Sequence, residues 1–297
     1  MDSETGASGL WPVDILILSY FLTVSLLVLI YWRWIPCAWW LMFLHTAGVL
    51  LVVLVLLAQR TTTSRSQAVA WFFRNWYPWL GLAVGYKEMS ILIPAIRRSD
   101  ADAALARLDL ALWGVHPTVW LERIQTHALT EFLQITYSLF LPMLLLVAAV
   151  FWWQRRSVEF RYYVFLISLG FLASYLGYLL VPARGPRFLL DHLQSRPLEG
   201  LWSCHFLREM LDWLEGIHYD CFPSGHTEAT LLAWWSSRRI SRKLFWTYSA
   251  YTICMVFSTV YLRYHYAIDT VAGVVLAWAL LVATPWIYGN RQLHGKG

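Results

Sequence analysis

Two histidines and one aspartate are the residues of this sequence best suited to chemistry. His265 and Asp269 stand four positions apart, which places them on one face if the segment is helical. A carboxylate there can accept a hydrogen bond from one ring nitrogen, which fixes the tautomer and leaves the other nitrogen nucleophilic. His226 follows a Pro-Ser-Gly turn, the kind of turn at which a helix begins. We therefore expect His265, Asp269 and His226 to be catalytic.

The same segments carry groups that bind an oxyanion. A helix that begins after an N-cap serine offers backbone N–H groups to a phosphate. Arginine side chains add planar, fork-shaped donors that match phosphate oxygens. We predict that phosphate is bound by two residues at this helix start and by three arginines, namely Ser224, Gly225, Arg184, Arg187 and Arg263.

Long apolar segments must position these residues. Of 297 residues, 59% are hydrophobic and 14% are charged, which leaves too little polar surface for a soluble globular protein. Basic residues beside membrane helices explain the net charge of +5 better than a nucleic-acid partner does, and the 19 Trp and 16 Tyr suit interfacial belts. The sequence therefore predicts an all-α, polytopic transmembrane helix bundle, with the lipid bilayer and not nucleic acid as its partner.

The length of each apolar run predicts where the chain crosses the membrane. The stretch 69–86 is ambiguous because it holds Arg74 and Pro78, so spanning, re-entrant and interfacial placements stay open. A seventh span, short and polar at its start, is expected at 224–237, and surface helices are expected within 87–131. Six clear spans are predicted at 13–32, 37–58, 132–153, 162–181, 244–262 and 267–288.

Charge in the short turns predicts the orientation. The turns 154–161 and 238–243 are rich in arginine, and the tail carries Arg291 and Lys296. Two predicted spans separate each of these segments from the next, so all three lie on one side, which the positive-inside rule makes cytoplasmic. The long segment 182–223, which carries six acids, then faces the extracytoplasmic side together with the candidate catalytic residues.

Three motifs, each at an end of a predicted helix, share this outward face. Pro-Ser-Gly-His at 223–226 and His-x-x-x-Asp at 265–269 resemble motifs of the lipid phosphate phosphatase superfamily, also called type 2 phosphatidic acid phosphatases. The order and spacing of the motifs agree with that family. The three segments are 181–188, 221–228 and 258–269.

The resemblance covers about residues 130–288 and implies how the chain is divided. We expect N-terminal membrane helices and an interfacial segment in 1–131. A six-helix core of phosphatase type is expected in 132–297. The family chemistry implies no cofactor and no metal.

The resemblance also implies a role for each motif residue. His265 would attack phosphorus and form a phosphohistidine, with Asp269 orienting its ring. His226 would protonate the leaving oxygen and later activate water. Arg187 would bind the phosphate, and Ser224 and Gly225 would hold phosphate oxygens.

Some positions depart from the family pattern. Leu180 stands where the family has a lysine, Phe188 follows the motif arginine, and Thr259 stands where the family has an arginine. Arg184 and Arg263 are candidates to replace the missing cations. This variant pattern is similar to the branch that includes inositol phosphorylceramide synthases, which are phosphotransferases.

Three functions are therefore weighed. The first is hydrolysis of a lipid phosphomonoester or diphosphate, and the second is transfer of a phosphoryl or phospho-headgroup between lipids. The third, a non-enzymatic transporter, explains the spans but not the motifs. A metal site at His192, His205 and His218 is not predicted, because their spacing with the loop cysteines matches no zinc pattern.

Cys204 and Cys221 share the outward segment, where an oxidising compartment favours disulfides. We predict that they form a disulfide, with two free thiols as the alternative.

Overall fold

The computed structural model describes residues 9–61, 64–216 and 219–289. Within these ranges the ordered elements are helices, which confirms the predicted all-α, polytopic class. The α-helices of these ranges are α1 (Pro12–Ile30), α2 (Ala38–Thr61), α3 (Ser64–Ile96), α4 (Asp102–Trp113), α5 (Pro117–Trp120), α6 (His127–Ser138), α7 (Phe140–Trp153), α8 (Ser157–Leu180), α9 (Pro186–Leu189), α10 (Cys204–Glu215), α11 (Gly225–Ser237), α12 (Arg242–Tyr261) and α13 (Ala267–Tyr288).

In the part of the chain that the structure describes, five helices are long and apolar enough to cross a membrane. They are α1, α2, α3, α8 and α13, and the pair α6–α7, bent by 46°, adds a sixth if it is one span. The ambiguous stretch 69–86 lies in α3, whose apolar part, Val69–Ile96, is one of the five. The segment 87–131, which was expected at the surface, therefore begins too early, because residues 87–96 still belong to this apolar helix. The helix α12 forms where the span 244–262 was predicted, but it is not among these five.

The helices α1–α3 form the first of two compact units, which ends at Ile96. Arg74 lies inside this unit because Asp14 compensates its charge at 2.9 Å, and Tyr77 donates to the same carboxylate at 2.7 Å. A second buried contact joins His45 to Glu88 at 3.0 Å. Such pairing is what allows ionisable side chains at membrane depth.

The second unit begins at Arg97, earlier than the expected boundary between 131 and 132. The reason lies in α4, because Asp102 and Asp109 bond to backbone groups of the first and third motifs. The segment 97–131 therefore belongs to the second unit and not to the N-terminal one.

Six helices of this second unit, α6–α8 and α11–α13, build its bundle in the described ranges, as expected for the core. The short helix α11 lies at its centre and packs against α7, α8, α12 and α13. Small residues such as Ala229 and Ala233 are fully buried there, and small residues permit close helix packing.

The two arginine-rich turns lie at one end of the bundle, since Arg156 donates to the carbonyl of Arg239 at 2.5 Å. The charge pattern predicted this shared end. The motifs lie at the other end, because α8 runs away from the first turn to Leu180 and α11 runs from Gly225 towards the second. The tail residues Arg291 and Lys296 lie outside the described residues.

Candidate active site

Backbone hydrogen bonds hold the three motifs together. The N–H of Cys221, in the second motif, donates to the carbonyl of Ala183, in the first, at 3.2 Å. The N–H of Ser224 donates to the carbonyl of Asp269, in the third, at 3.0 Å. The second motif is therefore fixed between the other two, and the predicted convergence of the three segments is present in the structure.

The ring of His265 is buried and its tautomer follows from its neighbour. Its Nδ1 lies 2.8 Å from the carbonyl oxygen of Cys221, which can only accept a hydrogen bond, so Nδ1 carries the proton. The other nitrogen, Nε2, is then the nucleophilic one.

The carboxylate of Asp269 does not make the expected hydrogen bond to this ring, because it lies 3.7 Å from Nδ1 of His265. His265 lies two residues before α13 begins at Ala267. At this position its Nδ1 is closer to the Cys221 carbonyl than to the Asp269 carboxylate. Asp269 instead accepts from the N–H of Tyr266 and from the thiol of Cys221, both at 2.8 Å. Its buried carboxylate therefore lies near the histidine ring without a hydrogen bond to it.

The predicted disulfide is absent from the structure, where Cys204 and Cys221 are both free thiols. Cys221 points to the Asp269 carboxylate, inside the site. Cys204 begins α10, where its N–H donates to Glu131 at 3.2 Å. Each cysteine is thus committed to a different set of contacts.

His226 sits at the start of α11 between two aromatic rings. The Tyr137 ring stacks on it at 4.6 Å between centroids, and the Phe140 ring lies at 4.3 Å on a tilt. Its ring centre is 5.8 Å from that of His265. At this separation one phosphate group can reach both histidines, as a nucleophile and a general acid require.

The start of α11 is built as an anion-binding helix terminus. Ser224 is the N-cap, and its hydroxyl accepts from the N–H of Thr227 at 3.3 Å. A side chain at Gly225 would lie 2.4 Å from the hydroxyl of Tyr178, so this close approach requires glycine. The remaining first-turn N–H groups and the helix dipole favour negative charge here.

The three predicted arginines have different surroundings. Arg187 lies 5.1 Å from the centre of the Tyr264 ring, next in sequence to His265, and donates to Asp212 at 2.7 Å. Arg184 is exposed, with its guanidinium over the Phe188 ring at 4.4 Å.

Arg263 is buried in an ion pair of its own. Its guanidinium lies 2.9 Å from the carboxylate of Glu122 and donates to the carbonyl of Arg196 at 2.8 Å. Glu122 therefore compensates the charge that was expected to replace a missing family cation. Of the three arginines, Arg187 is the one whose contacts lead to the histidines.

An aromatic stack that the sequence did not reveal connects these groups. The Tyr137 ring, which stacks on His226, also stacks on Tyr264 at 4.3 Å and 14°. The guanidinium group of Arg187 in turn lies against the Tyr264 ring. Single aromatic residues in an apolar sequence give no signal of such a stack, because any of them could face lipid or core.

Two buried aspartates of α4 also escaped prediction. Asp102 accepts from the N–H groups of Arg184 and Gly185 at 2.7 and 2.8 Å and from the Tyr266 hydroxyl at 2.9 Å. Asp109 accepts from the first N–H groups of α13 at 2.9 and 2.8 Å. Burial raises the pKa of both carboxyl groups. Their seven-residue spacing, one face of a helix, is the signal that could have found them.

One group of side chains has the composition of a metal site. Donor atoms of Cys221, His265 and Asp269 lie within 4.8 Å of one another. A thiol must lose its proton to bind a metal, but burial and the charge of Asp269 raise the pKa of Cys221 well above its usual range. In the structure the Cys221 thiol instead donates to Asp269, and Nδ1 of His265 donates to the Cys221 carbonyl. Of the loop histidines, His192 and His205 are exposed, and His218 lies outside the described residues.

A sequence model of the PAP2 superfamily matches residues 103–283, more than half of the chain and all three motifs. The chain belongs to the PAP2 superfamily. The likeness to inositol phosphorylceramide synthases stays a prediction.

A PA-phosphatase related-family protein of Dictyostelium discoideum is 31% identical to this PAP2 chain over 98 residues. These residues are 32% of this chain and 18% of that protein, so the chain matches less than a fifth of its relative's length. No solved structure matches the chain.

Proposed function

We propose that the protein hydrolyses a phosphomonoester or diphosphate lipid through a phosphohistidine at His265. The observation that carries the proposal is the hydrogen bond from Nδ1 of His265 to the Cys221 carbonyl, because it leaves Nε2 free to act as a nucleophile. The ring centre of a second histidine, His226, lies 5.8 Å from that of His265. The superfamily membership supports the same chemistry.

The first step breaks the bond between phosphorus and the lipid oxygen. Nε2 of His265 attacks phosphorus while His226, whose protonated form the negative charge of the bound phosphate favours, donates its proton to the leaving oxygen. The products are the lipid alcohol, or the lipid monophosphate when the substrate is a diphosphate, and phosphohistidine. The charge of Asp269, 3.7 Å from Nδ1, stabilises the positive ring that forms.

The second step returns the enzyme to its starting state. Neutral His226 takes a proton from water, the water oxygen attacks phosphorus, and the bond between phosphorus and Nε2 breaks. Free phosphate leaves, and His226 is again protonated. Throughout, Arg187 and the start of α11 stabilise the charge on the phosphate oxygens.

An acceptor other than water would turn the same two steps into transfer. The purified protein would be incubated with a panel of lipid phosphates, with and without acceptor lipids, while free phosphate and new lipid products are quantified. Free phosphate without acceptor is expected. Product formation only with an acceptor would replace hydrolysis by transfer, and the absence of both would favour a transporter.

Chelation and vanadate test the proposed use of histidine without metal. We expect EDTA to leave the rate unchanged and vanadate, which mimics the trigonal-bipyramidal phosphorus, to inhibit. Loss of activity with EDTA that zinc or magnesium restores would instead assign a metal to the site.

A further inference from the structure

Arg208, in α10, shares an aromatic ring with Arg187. Its guanidinium carbon lies 5.4 Å from the centre of the Tyr264 ring, and that of Arg187 lies 5.1 Å from the same centre. One face of this ring is covered by Tyr137, which stacks on it nearly in parallel. Both guanidinium groups therefore lie around the part of the Tyr264 ring that Tyr137 does not cover, and Tyr264 directly precedes His265 in the sequence.

The charge of Arg208 is not compensated in the way the neighbouring charges are. Arg187 has the Asp212 carboxylate, and Arg263 has Glu122. Arg208 is half-buried and donates weakly to the carbonyl of Leu262 at 3.5 Å. Over the described ranges, no carboxylate is recorded within ion-pair distance of it. A partly desolvated guanidinium of this kind favours an anionic ligand.

The helix α10 directs Arg208 towards the site. Cys204, Arg208 and Leu211 follow one another at helical spacing and share a side. Leu211 packs against the apolar cluster that contains Tyr137 and Tyr264. The same side of α10 therefore brings its arginine to the aromatic stack beside the histidines.

The opposite side of α10 suits a membrane surface. Phe206 and Trp213 are 65% and 80% exposed, and Leu214 is exposed beside them. His205 and Glu209 form a separate polar stripe. A helix with an apolar stripe, a charged stripe and exposed tryptophan is typical of the bilayer interface, where lipid headgroups lie.

We propose that Arg208 is a second phosphate-binding residue of the site, which holds oxygen atoms of the lipid phosphate together with Arg187. The inference rests on the proposed function, because it takes the phosphate at the histidines as the ligand. It assigns to Arg208 the cationic role that the sequence suggested for Arg263.

The binding of orthovanadate tests this role without turnover. Full-length protein in lipid nanodiscs would be titrated calorimetrically as wild type, Arg208→Gln and Arg208→Lys, with Arg196→Gln as the control. Arg196 is exposed in the same segment, so its variant removes one positive charge from the same face. We expect Arg208→Gln to bind vanadate at least about tenfold more weakly, as loss of a charge-assisted hydrogen bond implies. Arg208→Lys should be intermediate, and Arg196→Gln should stay within about twofold of wild type.

Equal affinity of Arg208→Gln and Arg196→Gln would overturn the proposal. If Arg208→Gln does not fold, Arg208→Met, which keeps the aliphatic packing on Tyr264, replaces it under the same criterion. Lipid turnover measured in parallel separates the two proposals. A wild type that binds vanadate but turns over no lipid phosphate contradicts the proposed function alone, and one that binds no vanadate overturns the phosphate site and Arg208 with it.

Discussion

The carboxylate of Asp102 accepts a hydrogen bond from the backbone N–H of Gly185 at 2.8 Å, across 83 positions of sequence. Gly185 has a φ of 100°, and a side chain there would lie 2.7 Å from the carbonyl of Tyr264. The first motif therefore turns tightly against the third, and an aspartate from α4 holds the turn in place. Because Asp102 also accepts from the Tyr266 hydroxyl, one side chain fixes both motifs.

This contact predicts that Asp102→Asn lowers turnover although the residue lies outside the three motifs. The amide oxygen of asparagine can accept some of these hydrogen bonds, but the NH₂ group of the same amide would face backbone N–H donors. We expect kcat/KM for a lipid phosphate to fall by about tenfold or more, because small displacements of the reacting groups lower rates on this scale. Asp100→Asn, at an exposed position two residues earlier, is the control and should behave as wild type. Equal activity of the two variants would contradict the positioning role.

The catalytic assignment predicts a much larger effect at the histidines. His265→Ala removes the proposed nucleophile and His226→Ala the proposed acid, so each should lower kcat by roughly 10³-fold or more. His205→Ala, at a side chain 86% exposed, should leave kcat unchanged. The measurement is phosphate release by each purified variant after its thermal unfolding matches that of wild type. Activity of His265→Ala within tenfold of wild type would end the assignment.

The sequence predicted those parts of the fold that depend on local apolar length. The spans in α1, α2, α8 and α13 follow from runs of apolar residues, which need no knowledge of their neighbours. The path of 69–96 could not be decided in this way. Its Arg74 can be buried because Asp14, 60 positions earlier, compensates its charge.

The candidate site was predictable to a similar degree. His226, His265 and Asp269 were found because their chemistry and spacing are unusual in an apolar chain. The contacts between them were not, since they depend on where loops pass. Cys221 was predicted to form a disulfide, but its carbonyl accepts from His265 and its thiol donates to Asp269. No local sequence pattern distinguishes a disulfide from these contacts.

The thiol of Cys221 predicts a difference between two conservative substitutions. Cys221→Ser keeps a donor to Asp269 and should retain activity within a few-fold. Cys221→Ala removes the donor and should lower kcat by about tenfold, because small displacements of a reacting residue lower rates on this scale. Phosphate release by both variants gives the comparison. Equal rates would mean that the hydrogen bond to Asp269 has no role in turnover.

The free thiols make a separate prediction for alkylation. In the folded protein the exposed Cys37 should react with a maleimide, while the buried Cys204 and Cys221 should not. Burial also raises the pKa of both buried thiols, which slows reaction further. After denaturation without reductant, mass spectrometry should find the label on both. A pair that stays unlabelled until reduction would restore the disulfide.

The contacts of Glu122 predict how stability depends on pH. Burial acts to raise its pKa, but hydrogen bonds from Ser195 and Arg196 and the charge of Arg263 outweigh it and lower the pKa. A carboxyl whose folded-state pKa is lowered stabilises the protein above its unfolded pKa, and this contribution is lost as pH falls through the folded pKa. We therefore expect the Tm of wild type to fall more steeply than that of Glu122→Gln between about pH 6 and pH 3.

Glu199→Gln is the control for this comparison. Glu199 is exposed in the segment 182–223, which also carries Ser195 and Arg196, so its variant removes an acid without removing the contacts of Glu122. Its Tm should follow that of wild type across the whole range. Parallel curves for Glu122→Gln and wild type would show that the ion pair with Arg263 does not contribute to acid stability.

The last prediction concerns which end of the bundle faces outward. The arginine-rich turns lie together at one end, joined by the hydrogen bond between Arg156 and the Arg239 carbonyl, and the candidate site lies at the other. Because arginine-rich turns are retained on the cytoplasmic side, we predict that the site lies on the extracytoplasmic side. In a Cys37→Ser background, His192→Cys should react with an impermeant thiol reagent added to intact cells. Lys243→Cys, exposed in the second turn, should react only after permeabilisation, because the bilayer shields it. Labelling of Lys243→Cys in intact cells, with His192→Cys protected, would reverse the orientation and place the lipid phosphate substrate in the cytoplasmic leaflet.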